Sequence, residues 1–145
     1  MYRHILIATD GSEVGQKAIT QGLAVAKSFG AKVTVIKVTE MWSALDVAGR
    51  DALSRIETYE KAAGDAAKEI LAKAAAEAKA AGVPCETLHV PDRVPADGIV
   101  ATADARACDL IVMGSHGRRG IGKLLLGSQA QNVLAHTKKP VLIAR

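Results

Sequence analysis

"DLIVMGSHGRRGIGKLLLGSQAQNVLAHTKKPVLIAR", Asp109 to Arg145, is the stretch from which the fold is read. It runs from a short apolar segment through a glycine-rich basic loop and an apolar helical pattern to "PVLIA". Strand, loop, helix, strand is the unit of a parallel sheet, because parallel neighbours require a crossover connection. A glycine loop between a strand and a helix also suits an anion, since backbone N–H groups and the helix N-terminus both favour negative charge.

The same alternation extends upstream. "HILIAT" is a strand-length apolar run closed by Asp10, Gly11 and Ser12. From Glu13 to Phe29, Ala18, Gly22, Val25, Ala26 and Phe29 recur at helical spacing, with Gly30 as the stop. "KVTVIKV", Lys32 to Val38, is β-branched and reads as a second strand. "TEMWSALDVAGRD" reads as a loop or a frayed helix start. Ala52 to Ala81 then forms a long surface helix that stops at Gly82 and Pro84. Its apolar positions are mostly alanine, a poor seam for a coiled coil. "CETLHV" alternates in polarity as a half-exposed edge strand does, and Pro95 marks the first turn of a third helix.

Five strands and four intervening helices predict a single α/β domain over residues 1–145, a doubly wound parallel sheet. Such sheets bind ligands at the carboxyl ends of their strands, where the order reverses. "ATDGS" and "GSHGRRG" both belong on that rim, and no internal repeat or linker interrupts the pattern.

Composition narrows the partners. The 145 residues are 49% hydrophobic and 23% charged, which argues against disorder. A net charge of +4 suits a small anionic ligand, and the few aromatics form no stacking platform, so nucleic acid is not expected. Cys85 and Cys108 stand in no metal-ligand spacing and read as buried free thiols. "ILIA" is too short for a signal-peptide core and no run reaches the length of a membrane span, so the expected compartment is the cytoplasm.

Two standard phosphate loops fail on single residues. The Walker pattern nearly fits Gly117 through Lys123, but Leu124 replaces the hydroxyl that holds Mg²⁺. The dinucleotide pattern starts at Gly120-Ile121-Gly122, but Leu125 takes the third glycine and no acidic residue ends a later strand. What remains is Gly114-x2-Gly117-x9-Gly127-Ser128. Together with "ILIATDGS", "LLLGS" and "KPVLI", this spacing resembles the ATP-binding class of the universal stress protein family, along the whole chain.

The motif has a physical reason: Gly114 and Gly117 let backbone approach a phosphate without Cβ clashes. Ser128 is expected to cap the last helix, which moves its start from about Lys123 to Ser128 with a short helical turn before it. Arg118, Arg119 and Lys123 add positive charge. The resemblance implies a Rossmann-like sheet in the order 3-2-1-4-5 with helices on both faces. It also implies that Asp10 sits by the ribose and phosphates, with a bridging Mg²⁺, and that Ala8 and Thr9 line the adenine side. Val38 would offer backbone groups to the base edge, and Met113 would pack on the ring. His116, Gly117, Gly127, Ser128 and Gln129 would surround the triphosphate, and a homodimer would form through the C-terminal strand. On the residues alone, Asp10 equally reads as a helix cap and Val38 and Met113 as core. Arg93, in "PDRVP", stands where the family usually has glycine two residues before the proline.

The implied activity is ATP binding by a regulatory protein of the stress response, with slow hydrolysis at most. An interaction module with a vestigial site and an ATP-dependent transferase are the alternatives. The intact glycine motif argues against the first, and the short chain leaves little room for the second's substrate segment.

Overall fold

A computed structural model describes residues 1–40, 51–117 and 125–145. Along the chain these form β1 (His4–Ala8), α1 (Glu13–Phe29), β2 (Lys32–Val38) and α2 (Ala52–Ala81). There follow β3 (Cys85–Val90), α3 (Pro95–Ala105), β4 (Leu110–Gly114), α4 (Ser128–His136) and β5 (Val141–Ala144). The strands make one parallel sheet in the order β3-β2-β1-β4-β5. The chain thus steps one way from β1 to β3, then crosses back to β4 and continues outward. The two directions diverge between β1 and β4, so the crevice for a ligand opens there.

Side chains alternate across the sheet with the period of two that pleating imposes. Ile5, Ile7, Val33, Val35, Leu110 and Val112 pack beneath α1 and α2. Leu6, Ile36, Val38, Ile111 and Met113 face α3 and α4 on the other side. β1 is central, and Ile5, Leu6 and Ile7 are fully buried. β3 and β5 are the edges, and β3 is the half-exposed strand its alternating sequence predicts.

α1 lies unusually close to β1. A Cβ on Gly22 would stand 2.5 Å from Ile7 Cδ1, so only glycine permits this approach. Gly30 ends α1 with φ 63°, the left-handed conformation that glycine adopts without strain. Phe29, expected on the buried face, is 46% exposed and meets the Tyr2 ring edge-on at 5.3 Å. It lies at the rim because α1 has passed the sheet by its last turn.

α2 is a surface helix, as predicted. Its buried residues are Ala67, Leu71, Ala74 and Ala78, all in the C-terminal half, while Leu53 in the first turn is 77% exposed. Of the cysteines, Cys108 is buried, but Cys85 is only half-buried because it opens an edge strand. Burial pushes the Cys108 thiol up to about 11.

Candidate functional site

The crevice has two walls. The first is the turn that follows β1. Gly11 takes φ 80°, and the turn is closed by side chains: Gly11 N–H donates to Thr9 Oγ1 at 3.2 Å and Ser12 N–H to Asp10 Oδ1 at 2.9 Å. The Ser12 hydroxyl also donates to Asp10 Oδ1, and its oxygen accepts from Gly15 N–H at 3.1 Å. Ser12 is therefore the cap of α1, and the capping role considered for Asp10 passes to it. Asp10 instead folds its carboxylate over the turn. Thr9 is buried and Ala8 half-buried beside it.

The second wall is the end of β4. Met113 is buried in the core, and Gly114 closes the strand against α1, where a Cβ would stand 2.6 Å from Val14 Cγ1. Ser115 N–H donates to Ala144 C=O at 2.7 Å, and Gly127 N–H returns to Ser115 C=O at 2.6 Å. Across that closure a Cβ on Gly127 would lie 2.9 Å from both His116 Cα and Ser115 O. His116 is oriented by a 3.0 Å bond between its Nδ1 and Ser115 Oγ. Gly117 faces the other wall: its Cβ would sit 3.2 Å from Asp10 Oδ2. The structure thus brings Asp10, Gly117, His116 and Gly127 around one crevice. Arg118, together with Arg119, Lys123 and the short turn expected before α4, lies outside the described residues.

Ser128 is the first helical residue of α4, and the cap position falls to Gly127, contrary to the expectation for Ser128. The Ser115–Gly127 closure holds Gly127 extended (φ −61°, ψ 157°), so the helix begins one residue later. Gln129 reaches sideways, and its Oε1 accepts from Ala96 N–H at 3.0 Å in the first turn of α3.

Val38 stands at the far end of β2. Ile36 C=O accepts from Thr9 N–H at 3.0 Å, and groups two residues apart on a strand point the same way. The Val38 N–H and C=O therefore face β1, beyond the last rung of that ladder. Its side chain is fixed by α3, where a Cβ on Gly98 would stand 3.0 Å from Val38 Cγ2. Beside it lies a cleft of about 560 Å³ lined by Glu40, Asp92, Arg93, Val94 and Asp97. Arg93 N–H donates to Thr39 C=O at 3.2 Å, and the preceding Asp92 takes the left-handed φ of 58°. His89 Nε2 bonds Thr39 Oγ1 at 2.8 Å. Burial, then Lys37, lowers its pKa from the usual value.

Sequence reasoning missed Gly15. A Cβ there would meet Asp10 Oδ1 and Thr9 Oγ1, each at 2.7 Å, so the glycine in the first turn of α1 makes room for the Asp10 carboxylate. Its signal was the second glycine of "DGSEVG", three residues after the serine that caps the helix. Glu40, Asp92 and Asp97 carried no signal, because distant segments assemble their cleft. Among the described residues, no group of three or more His, Cys, Asp or Glu side chains is placed to hold a metal ion.

A model of the universal stress protein family matches residues 1–145. The chain belongs to the universal stress protein family. Universal stress protein MJ0531 of Methanocaldococcus jannaschii is 34% identical over 145 residues, covering all of this chain and 83% of that protein. A universal stress protein of Thermus aquaticus is 36% identical over 146 residues, covering the whole of both. Among solved structures, MJ0577 of Methanocaldococcus jannaschii superposes with a TM-score of 0.82 at 26% identity, over 99% of this chain and 96% of the other. A universal stress protein in complex with cAMP superposes with a TM-score of 0.73 at 33% identity, covering 99% of this chain and 97% of that one. The Rossmann-like sheet order 3-2-1-4-5 is therefore the family's fold. No helix among the described residues is long and apolar enough to cross a membrane.

Proposed function

We propose that this universal stress protein binds ATP in the crevice between β1 and β4 and acts in the cytoplasm as a regulatory protein of the stress response. The observation that carries the reading is the convergence of Gly117 on Asp10, close enough that a Cβ at Gly117 would crowd Asp10 Oδ2 at 3.2 Å. Gly114 packs on Val14 and Gly127 on Ser115 and His116 with no room for a side chain, so the loop backbone is held beside the crevice, where its N–H groups suit a phosphate. His116, Ser128 and Arg118 would complete the phosphate shell. Gln129 would join through its backbone, since its side chain serves α3. Ala8, Thr9 and Met113 would border the nucleoside, with the Val38 backbone reading the base edge. A relative of the same fold has been solved with cAMP, an adenine nucleotide.

Mg²⁺ fits this donor set as a substrate-borne ion. It keeps several waters and takes one or two carboxylates plus phosphate oxygens. Asp10 is the carboxylate placed to serve it, and the ion would neutralise phosphate charge. The deciding experiment is native mass spectrometry of gently purified protein with thermal-shift titration of MgATP. Bound ATP and a raised Tm are expected, both abolished in Gly117→Val and Asp10→Ala. No bound nucleotide and no shift in the unaltered chain would overturn the reading.

We also propose a homodimer through β5. Its inward groups are engaged: Pro140 and Ala144 C=O accept from Ile111 and Ser115 N–H. By alternation, the Val141 and Ile143 backbone groups point away from β4, on an apolar edge that a monomer would leave open. A two-fold pairing of these strands is self-complementary. Light scattering should give a dimer at micromolar concentration and a monomer for Ile143→Pro, which removes an outward N–H and spares the β4 ladder. A monomeric unaltered chain would refute it.

A further inference from the structure

Ser115 is held by its backbone on both sides, and its hydroxyl has one use. Its N–H donates to Ala144 C=O at 2.7 Å and its C=O accepts from Gly127 N–H at 2.6 Å. These bonds tie it to a fully buried residue of β5 and to the cap of α4. Ser115 is itself 7% exposed, so its side chain is out of water. Among the described residues its Oγ makes a single hydrogen bond, to His116 Nδ1 at 3.0 Å.

That bond decides which nitrogen of the neutral ring carries the proton. A neutral imidazole has one nitrogen that donates and one that accepts, whereas a hydroxyl can do either. With the proton on Nδ1, the hydroxyl would accept from the ring and its own O–H would be buried without an acceptor. An orphaned donor of that kind costs its full desolvation penalty. With the hydroxyl donating to Nδ1, no donor is stranded, in keeping with a molecule whose described residues leave no buried side-chain N or O without a partner. The proton of the neutral ring therefore lies on Nε2. His116 is only half-buried, and among the described residues Nε2 has no protein partner. Gly127 packs so close behind the side chain that a Cβ there would lie 3.3 Å from His116 Cβ. The histidine is thus fixed at its base and at Nδ1, and Nε2 is left for a ligand.

We propose that Ser115 is a positioning residue of the crevice: its hydroxyl donates to His116 Nδ1 and so presents Nε2–H as a neutral donor to an anionic oxygen of the bound nucleotide. Such a bond is charge-assisted by the anion although the ring carries no charge. The proposal rests on the nucleotide reading above and names how one donor of that site is prepared before the ligand arrives.

The test joins spectroscopy to calorimetry on the full chain. Long-range hydrogen–nitrogen correlation spectra at about pH 8.5 report the tautomer of the neutral ring. The unaltered chain should show a protonated Nε2 and an unprotonated Nδ1 at His116. Ser115→Ala should lose that fixed tautomer, and Ser115→Thr, which keeps the hydroxyl, should retain it. In isothermal titration calorimetry with MgATP, Ser115→Ala should weaken binding by about three- to tenfold and Ser115→Thr should not. In a His116→Ala background, Ser115→Ala should have no further effect, because the serine acts through the ring. An Nδ1–H tautomer in an unaltered chain that binds MgATP, or additive losses in the double variant, overturns this proposal alone. An unaltered chain that shows the Nε2–H tautomer but binds no MgATP overturns the nucleotide reading and the role drawn from it. The tautomer of the unaltered chain needs no substitution, so a variant that fails to fold leaves the proposal refutable.

Discussion

Replacing Gly15 by alanine sets two effects of comparable size against each other. Alanine in a helix interior is favoured over glycine by about 1 kcal/mol, and less in a first turn. Against this, the new Cβ would lie 2.7 Å from Asp10 Oδ1 and from Thr9 Oγ1, far inside contact distance. Both side chains must move, and both hold the turn: Thr9 Oγ1 accepts from Gly11 N–H and Asp10 Oδ1 from Ser12 N–H. Two such bonds contribute roughly 1 kcal/mol each. Thr9 is 5% exposed, so it has little room to swing away. The crowding wins, and the expected net loss is about 1 kcal/mol, or a fall in Tm of about 2–4 °C. Nucleotide affinity should drop further, by at least about tenfold, because the carboxylate itself is displaced. Differential scanning fluorimetry with and without MgATP reads both quantities. Gly64→Ala in α2 is the control, since nothing lies within 4 Å of its Cβ; it should gain about 0.5–1 kcal/mol and leave binding alone. A Gly15→Ala protein as stable as the unaltered chain, with unchanged affinity, would refute the reasoning.

Gln129→Ala should cost about 1 kcal/mol and speed hydrogen exchange at Ala96, whose N–H loses its acceptor; unchanged protection there would contradict the assigned bond. With its thiol pushed up to about 11, Cys108 should be about one part in a thousand thiolate at pH 8 and resist iodoacetamide until unfolded; peptide mapping after native alkylation checks this. Burial lowers the pKa of His4 and of His89 below the ordinary 6.5. The unfolded chain therefore binds more protons, and stability should fall as pH drops below about 6.5, levelling out once the lowered folded values are passed. Tm measured from pH 8 to 5 should show this, with a smaller slope in His4→Gln, which keeps a donor for Thr34 Oγ1.

Four strands were legible as short β-branched or apolar runs and β3 by its alternating polarity, and the long helices because Gly30 and Gly82 mark their ends in left-handed backbone. The crevice was legible in its glycines, since few other reasons place Gly114, Gly117 and Gly127 at a strand end and a helix start. What escaped reading was non-local. Ser12 and Asp10 are both competent caps by type, and only the left-handed Gly11 between them decides that Ser12 serves α1. The side-chain partner of Gln129, the Ala96 N–H, lies 33 residues away, so that bond leaves no local signal. The cleft at Glu40, Arg93 and Asp97 joins the ends of β2 and β3 to the start of α3, and no local pattern announces that meeting.

The uneven burial of α2 has a consequence for how the molecule breathes. At 30 residues the helix is about 45 Å long, about twice the span of a seven-residue strand. Its last turns are anchored through Ala67, Leu71, Ala74 and Ala78, while among the described residues its amino-terminal half buries no side chain fully and is tied by the Tyr59 hydroxyl, which donates to Glu40 C=O at 2.8 Å. The helix is therefore two stability zones in one continuous rod. Fraying from Asp51 inward needs only a few turns to open, whereas release beyond Ala67 requires stripping a face of the core. Any protease or partner that engages an opened segment will meet it at the amino-terminal half of α2, with the sheet still intact behind it.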